Sequence, residues 1–400
     1  MRILFTPAYS GSAMCQSRYL NRSSMPLDTF NTLAGLELDN DWVTPNNGNI
    51  IHAESAAKIF ECDRSLSTIG RLPGIRPEDS EETIARKLMP VEKNFDGVVL
   101  NFANIIHAKE KLAEGLFEIL EVGFASTAAL VEKLNDVKIF AFGVGLQDEM
   151  PAVPESIGPS LFRLLTALND KAAIFGTRGF RTERFLHDLG LTNAVALGCP
   201  SLYVNPFSTS QLEFRPLSKD YRMTAAGRLS ISGLKTGRIQ PLLDVTREFD
   251  TDYAFQNDLF NLFRKDDLGE IGYNSESHEV SKSACDSYVK KKLKTDDHFS
   301  RYYYFRSPQA WRAYATTRDA YIGDRFHGGV AFLQVGRPAG FIYDDVRVLE
   351  LTGYYGLKAF TPQEVKDLGK RDFGPLLRGL DVGLTSPLSS RPEGLDCNKV

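Results

Sequence analysis

From residue 96 to about residue 350, short apolar runs alternate with stretches of helical period, and this alternation leaves few folds open. Gly97-Val-Val-Leu-Asn101, Val137-Lys-Ile-Phe-Ala-Phe142, Ala172-Ala-Ile-Phe175 and Ala194-Val-Ala-Leu197 are strand candidates, with helices expected near 108–134, 155–170 and 180–190 between them. Strands that read as unbroken apolar runs, rather than as alternating ones, are buried on both faces, as in a parallel sheet covered by helices. The stretch at 180–190 sets Thr182, Phe185, Leu186 and Leu189 at i, i+3, i+4 and i+7, and Gly190 can close the helix. Met1-Arg-Ile-Leu-Phe-Thr-Pro7 reads as a first strand, and Ile50 to Phe60 as a helix.

After Leu202-Tyr-Val-Asn-Pro206 and a polar stretch to about 220, a second series begins. Its expected strands are Arg228–Ser232, Asp252–Gln256, Tyr302–Phe305, 320–325 and Ala339–Tyr343, with helices near 238–249, 257–264 and 308–317. Residues 265–300 are charge-rich and read as a solvated helix and loop. A chain of 400 residues exceeds what one hydrophobic core usually organises. The expected fold class is therefore α/β, with two Rossmann-like doubly wound domains, at 1–210 and 211–384, facing a cleft. Residues 385–400 lack periodicity and read as a flexible tail.

Composition narrows the function by exclusion. The net charge of −4 offers no field to recruit nucleic acid. No apolar run approaches the ~20 residues of a membrane helix, and the N-terminus does not read as a signal peptide. The five cysteines, Cys15, Cys62, Cys199, Cys285 and Cys397, are scattered without a Cys-x-x-Cys pair. Reduced thiols, no bound metal and a cytoplasmic location follow as expectations. Gly143-Val-Gly145 lacks the third glycine of a dinucleotide loop and no P-loop occurs, so a resident nucleotide cofactor is not expected.

The chemistry concentrates at strand-to-helix junctions, where side chains and unpaired helix N–H groups meet. In Asp324-Arg325-Phe326-His327-Gly328-Gly329, strand alternation would send Arg325 and His327 to one face, and the two glycines would open a helix whose N–H groups bind an anion. Gly176-Thr177-Arg178-Gly179 offers a second arginine beside a helix start, with Thr177 as cap. Asp345-x-Arg347-x-x-Glu350 places Arg347 and Glu350 as helix neighbours, either a surface ion pair or a support for a sugar hydroxyl. Asn46-Asn47-Gly48-Asn49 begins a helix, near a ligand or as an ordinary turn. Cys199 is a nucleophile candidate, but with no histidine close in sequence it reads as core packing.

Taken together, Asn47-Gly48-Asn49, Thr177-Arg178-x-x-Arg181-Thr182, Gly198-Cys-Pro-Ser-Leu202, Gly323-x-Arg325-x-His327-Gly328, Gly336-x-Pro338 and Asp345-x-Arg347-x-x-Glu350-Leu351 resemble the polysaccharide pyruvyl transferase family. The resemblance implies a GT-B-like fold and transfer of a pyruvyl unit from phosphoenolpyruvate to a saccharide, commonly as a ketal bridging two hydroxyls. It implies His327 and Arg325 as catalytic residues, and Arg178, Arg181, Gly328, Gly329, Asn47, Gly48, Arg347 and Glu350 as substrate-binding ones. No metal or resident cofactor is implied; phosphoenolpyruvate is a substrate, and a lipid-linked saccharide would add peripheral membrane contact. Two departures from the pattern bear on the acceptor side: about forty residues separate the first strand from Asn47-Gly48, and Gly179 stands where an acidic residue often follows the arginine. The competing readings are a GT-B glycosyltransferase using a nucleotide sugar, with Glu350 on the ribose and Arg325 on the diphosphate, and a silent saccharide-binding relative.

Overall fold

The computed structural model describes residues 1–6, 9–10, 25–26, 47–70, 72–230, 233, 235, 237–256, 258–259, 271–343, 345–357 and 359–369. The expected helix at 257–264 lies mostly outside these residues, and the expected tail at 385–400 wholly so. The chain forms two α/β units. The first comprises residues 1–204 with the short segments 306–310 and 345–347; the second comprises 205–305, 311–344 and 348–400.

The first unit is built on a sheet ordered β3-β4-β1-β5-β6-β7-β8, with β2 paired to β5. Its strands are β1 (Ile3–Phe5), β2 (Tyr9–Ser10), β3 (Met25–Pro26), β4 (Thr68–Ile69), β5 (Gly97–Ala103), β6 (Lys138–Val144), β7 (Ala172–Thr177) and β8 (Ala194–Ala196). All pairings are parallel except β3 with β4. Every residue of β5 is buried, as its unbroken apolar run requires of a strand covered on both faces. The covering helices are α1 (Gly48–Ile59), α2 (Glu81–Asn94), α3 (Glu114–Lys133), α4 (Pro159–Lys171) and α5 (Phe180–Asp188). Helix α4 buries Leu161, Leu164, Leu165 and Leu168, one stripe at helical spacing, each contributing about 1.5–3 kcal/mol of transfer free energy. Helix α5 buries Thr182, Phe185 and Leu186, and Gly190 ends it at φ 82°.

The second unit carries a sheet ordered β11-β12-β10-β9-β13-β14-β15. These are β9 (Arg222–Ala226), β10 (Asp250–Phe255), β11 (Glu279–Val280), β12 (Tyr302–Tyr304), β13 (Ala320–Gly323), β14 (Ala339–Ile342) and β15 (Ala359–Phe360), all parallel but β11. Counted along the chain, the six parallel strands lie in the order 3-2-1-4-5-6, the classic doubly wound arrangement. Strand order reverses between β9 and β13, so the ligand crevice of such a sheet falls outside the carboxyl ends of those two strands. The later helices include α6 (Gln240–Val245), α7 (Pro308–Ala315), α8 (Phe326–Leu333) and α9 (Val346–Tyr354).

Three expectations are corrected. The first strand of this unit is Arg222-Met-Thr-Ala-Ala226, not 228–232; small side chains suit its position at the sheet centre, and residues 227–230 form the loop that follows. The stretch at 265–300 contributes β11 and the helix Lys282–Tyr288, with Cys285, Val289, Leu293 and Phe299 buried beneath its charges. Finally, β13 stops at Gly323, and α8 starts at Phe326.

Candidate functional site

In the first unit the predicted Arg178 leaves the carboxyl end of β7 and is 3% exposed. Its backbone N–H donates to the Val144 carbonyl at 2.8 Å. Its Nη1 donates to Asn104 Oδ1 at 2.7 Å, and Asn104 holds a left-handed backbone, φ 46°. Asn104 belongs to the loop after β5, which the Ile106–Leu146 bridge ties to the loop after β6. Three strand ends thus converge on one guanidinium. Thr177 does not cap α5: its Oγ1 donates to the Gly179 carbonyl at 3.1 Å, and Gly179 itself is the N-cap. Arg181, one turn further on, faces outward and pairs with Glu149.

Asn47 and Gly48 begin α1, but Asn47 makes no side-chain cap. The helix they start delivers a residue that no local pattern singles out. His52, fully buried, brings its Nδ1 to 3.5 Å from Cys199 Sγ, and Ser201 Oγ is 2.9 Å from the same sulfur. His52 Nε2 lies 2.7 Å from the Phe102 carbonyl, which only a ring N–H can satisfy, so Nδ1 is left to accept the thiol proton. Burial, with the Arg178 charge next in importance, pushes the imidazole down to about 3 and keeps it neutral. A histidine does stand beside Cys199, although 147 residues separate the two. Gly143, at φ 76°, gives this ring room, since a Cβ there would meet the Phe102 carbonyl at 2.3 Å and His52 at 2.9 Å.

In the second unit Arg325 sits at the topological switch point. It follows β13, serves as the N-cap residue of α8, and donates from Nε to the carbonyl of Gly227, the first residue after β9, at 3.1 Å. Asp324 Oδ1 stands 3.4 Å from Nε, and Arg238 Nε donates to Asp324 Oδ2 at 2.8 Å. Beneath them Asp258 accepts from Tyr253 Oη at 2.6 Å and from the backbone N–H of Gln256 at 2.8 Å. Burial opposes the Arg325 charge, but Asp324 and Asp258, with Tyr253 and Tyr321, outweigh it and raise the guanidinium above its ordinary value. Burial likewise raises the Asp258 carboxyl, against the pull of Arg325. The result is a permanent cation at a helix N-terminus, where both charge and dipole favour an anion.

His327 is the second residue of α8 and is 8% exposed. Arg325 and His327 therefore do not share a strand face; they share the first turn of a helix. Gly328 and Gly329 also differ from expectation, since their N–H groups donate to the Arg325 carbonyl at 3.0 and 3.4 Å. Packing accounts for both. A Cβ on Gly328 would meet Tyr321 Oη at 2.7 Å, and one on Gly329 would meet the Phe341 ring at 2.5 Å. Arg347 is not paired with Glu350; its Nη2 donates to Asp345 Oδ2 at 2.6 Å, while Glu350 is buried on α9.

Among the described residues no helix is long and apolar enough to cross a membrane. Solved structures similar to this chain include MnaA of S. aureus with UDP, at 12% identity and TM-score 0.44, covering 96% of this chain and 91% of that one. The UDP-GlcNAc 2-epimerase of Neisseria meningitidis bound to UDP-GlcNAc is similar at 10% identity and TM-score 0.43, covering 93% and 91%. Anabaena Alr3699/HepE in complex with UDP and glucose follows at 11% identity and TM-score 0.41, covering 92% and 89%. No curated protein sequence matches the chain. The family model for polysaccharide pyruvyl transferase matches residues 122–345, more than half the chain, and includes Arg178, Arg325 and His327. The chain belongs to the polysaccharide pyruvyl transferase family, a family of transferases.

Proposed function

We propose that the protein transfers a pyruvyl unit from phosphoenolpyruvate to two hydroxyls of a saccharide, forming a ketal and releasing phosphate. The observation that carries this reading is the largely enclosed Arg325, its side chain 11% exposed, at the switch point of the second sheet, with His327 in the adjoining helical turn. Phosphoenolpyruvate presents a carboxylate and a phosphate on one small skeleton, so it calls for two cations. Arg325 is assigned to one of them, and the buried Arg178 of the first unit is assigned to substrate binding, each beside a helix start. Asn47, Gly48, Arg181, Arg347 and Glu350 are assigned to the saccharide.

The balance of the reaction sets what the site must do. The methylene carbon of the donor gains a proton and becomes a methyl group, and a saccharide hydroxyl bonds to the adjacent carbon. A second hydroxyl then displaces phosphate from that carbon. Two hydroxyl protons are released in all; one equals the proton taken up by the methyl group, and the other balances the departing phosphate. His327 is proposed to move the proton to or from the reacting atoms, a task an imidazole performs near neutral pH.

Incubation with phosphoenolpyruvate and a panel of saccharides should release inorganic phosphate and add a pyruvyl mass to one acceptor. His327→Ala should lower turnover by about 10²–10⁴. Turnover close to that of the parent protein would remove His327 from the mechanism. Turnover of a UDP-sugar, with none of phosphoenolpyruvate, would replace the reading with glycosyl transfer.

A further inference from the structure

Gln256 lies just beyond the carboxyl end of β10, the strand beside β9. It is 2% exposed, and among the described residues its side-chain Nε2 makes no hydrogen bond. Buried amides left in that state are rare and call for a reason. The surroundings supply one. Nε2 would lie 3.0 Å from a Cβ on Gly328, so the amide is aimed at the first turn of α8. There Arg325 Nη2 is a second buried donor that makes no hydrogen bond. Its Nε is held by the Gly227 carbonyl, and Tyr321 Oη donates to the Arg325 carbonyl at 2.7 Å, so the arginine is fixed while one of its outer nitrogens is left over. The main chain of Gln256 is held by its backbone N–H, which donates to Asp258 Oδ1.

Two buried donors from different strand ends, one charged and one neutral, lie against the first turn of α8, Gln256 Nε2 over Gly328 and Arg325 Nη2 at the N-cap residue, and among the described residues neither has an acceptor. Resting on the pyruvyl-transfer reading, we infer that Gln256 is a substrate-binding residue, its Nε2 joining Arg325 Nη2 on a single oxyanion of the donor, either carboxylate or phosphate. An amide beside the guanidinium adds direction to a site that charge alone would fill with any anion. It also explains why position 328 is glycine: a side chain there would fill the space over which the Gln256 amide and the Tyr321 hydroxyl converge.

The test measures binding of phosphoenolpyruvate, inorganic phosphate and pyruvate by titration calorimetry, in the full-length protein and in Gln256→Met and Gln256→Glu. Methionine keeps the unbranched shape without a donor; glutamate keeps the acceptor and replaces the donor by a negative charge. Both should weaken phosphoenolpyruvate binding about ten- to hundredfold, with glutamate the worse. Loss of phosphate binding in the variants assigns the pair to the phosphate, and loss of pyruvate binding assigns it to the carboxylate. Parent-like phosphoenolpyruvate binding in either folded variant overturns the inference and leaves pyruvyl transfer standing. If the parent protein ignores phosphoenolpyruvate but binds phosphate, and the variants lose that binding, the donor pair stands and the pyruvyl-transfer reading falls.

Discussion

Lowering the pH should destabilise the first unit through His52, by an amount its burial sets. The imidazole is fully buried and held near 3, against an ordinary value of 6.5. The unfolded chain therefore takes up a proton at a pH where the folded chain cannot. His52 has no effect on stability well above pH 6.5; the penalty grows as the pH falls below that value and is complete only near 3. At pH 5 the unfolded chain gains a binding factor of about 30 and the folded chain almost none, which is about 2 kcal/mol. Urea unfolding at pH 8 and at pH 5 reads this difference, with a far-ultraviolet signal for the folded fraction. His52→Gln keeps a donor for the Phe102 carbonyl but cannot be protonated, so its loss of stability between the two pH values should be smaller than that of the parent by about 2 kcal/mol. His107 is also pushed down, first by burial, but it remains in both proteins and cancels in the comparison. Equal losses in parent and variant would refute the claim that His52 is neutral, enclosed and pinned between Cys199 and the Phe102 carbonyl.

Two further substitutions probe the second unit. Asp324→Asn removes the carboxylate facing both Arg238 and Arg325, all three nearly buried, and should cost about 3–5 kcal/mol in thermal or urea unfolding; a change near zero would mean that water, not Asp324, balances the arginines. Gly329→Val drives a side chain into the Phe341 ring, which is stacked on Phe326, and should cost about 1–3 kcal/mol; an unchanged melting temperature would show that α8 does not need its close approach to β14.

Features that rest on local periodicity were the legible ones. Helix α5 follows from Thr182, Phe185 and Leu186 at helical spacing before Gly190, and β5 from an apolar run that only a doubly covered strand tolerates. Arg325 and His327 stand out in the sequence for their side-chain chemistry, but through a strand alternation that the structure does not show. Arg-Phe-His alternates like a strand, but β13 ends two residues earlier and the helix begins at Phe326. The central β9 was misplaced because Thr-Ala-Ala is a weak strand signal whose burial is imposed by its neighbours on both sides. The pairing of His52 with Cys199, and the convergence of Gln256 on Gly328, are closed by tertiary structure over long sequence separations. No local pattern announces them.

Pyruvyl transfer requires that the donor's methylene carbon be protonated by an exchangeable acid while a saccharide hydroxyl takes the adjacent carbon. Running the reaction with phosphoenolpyruvate and an accepted saccharide in deuterium oxide, and reading the product by mass spectrometry and proton NMR, tests that directly. The expected products are inorganic phosphate and a pyruvylated saccharide whose new methyl group carries a single solvent-derived deuterium, with product formation collapsing in Arg325→Ala. A product with no deuterium in that methyl group, or unimpaired product formation by Arg325→Ala, would contradict this reading.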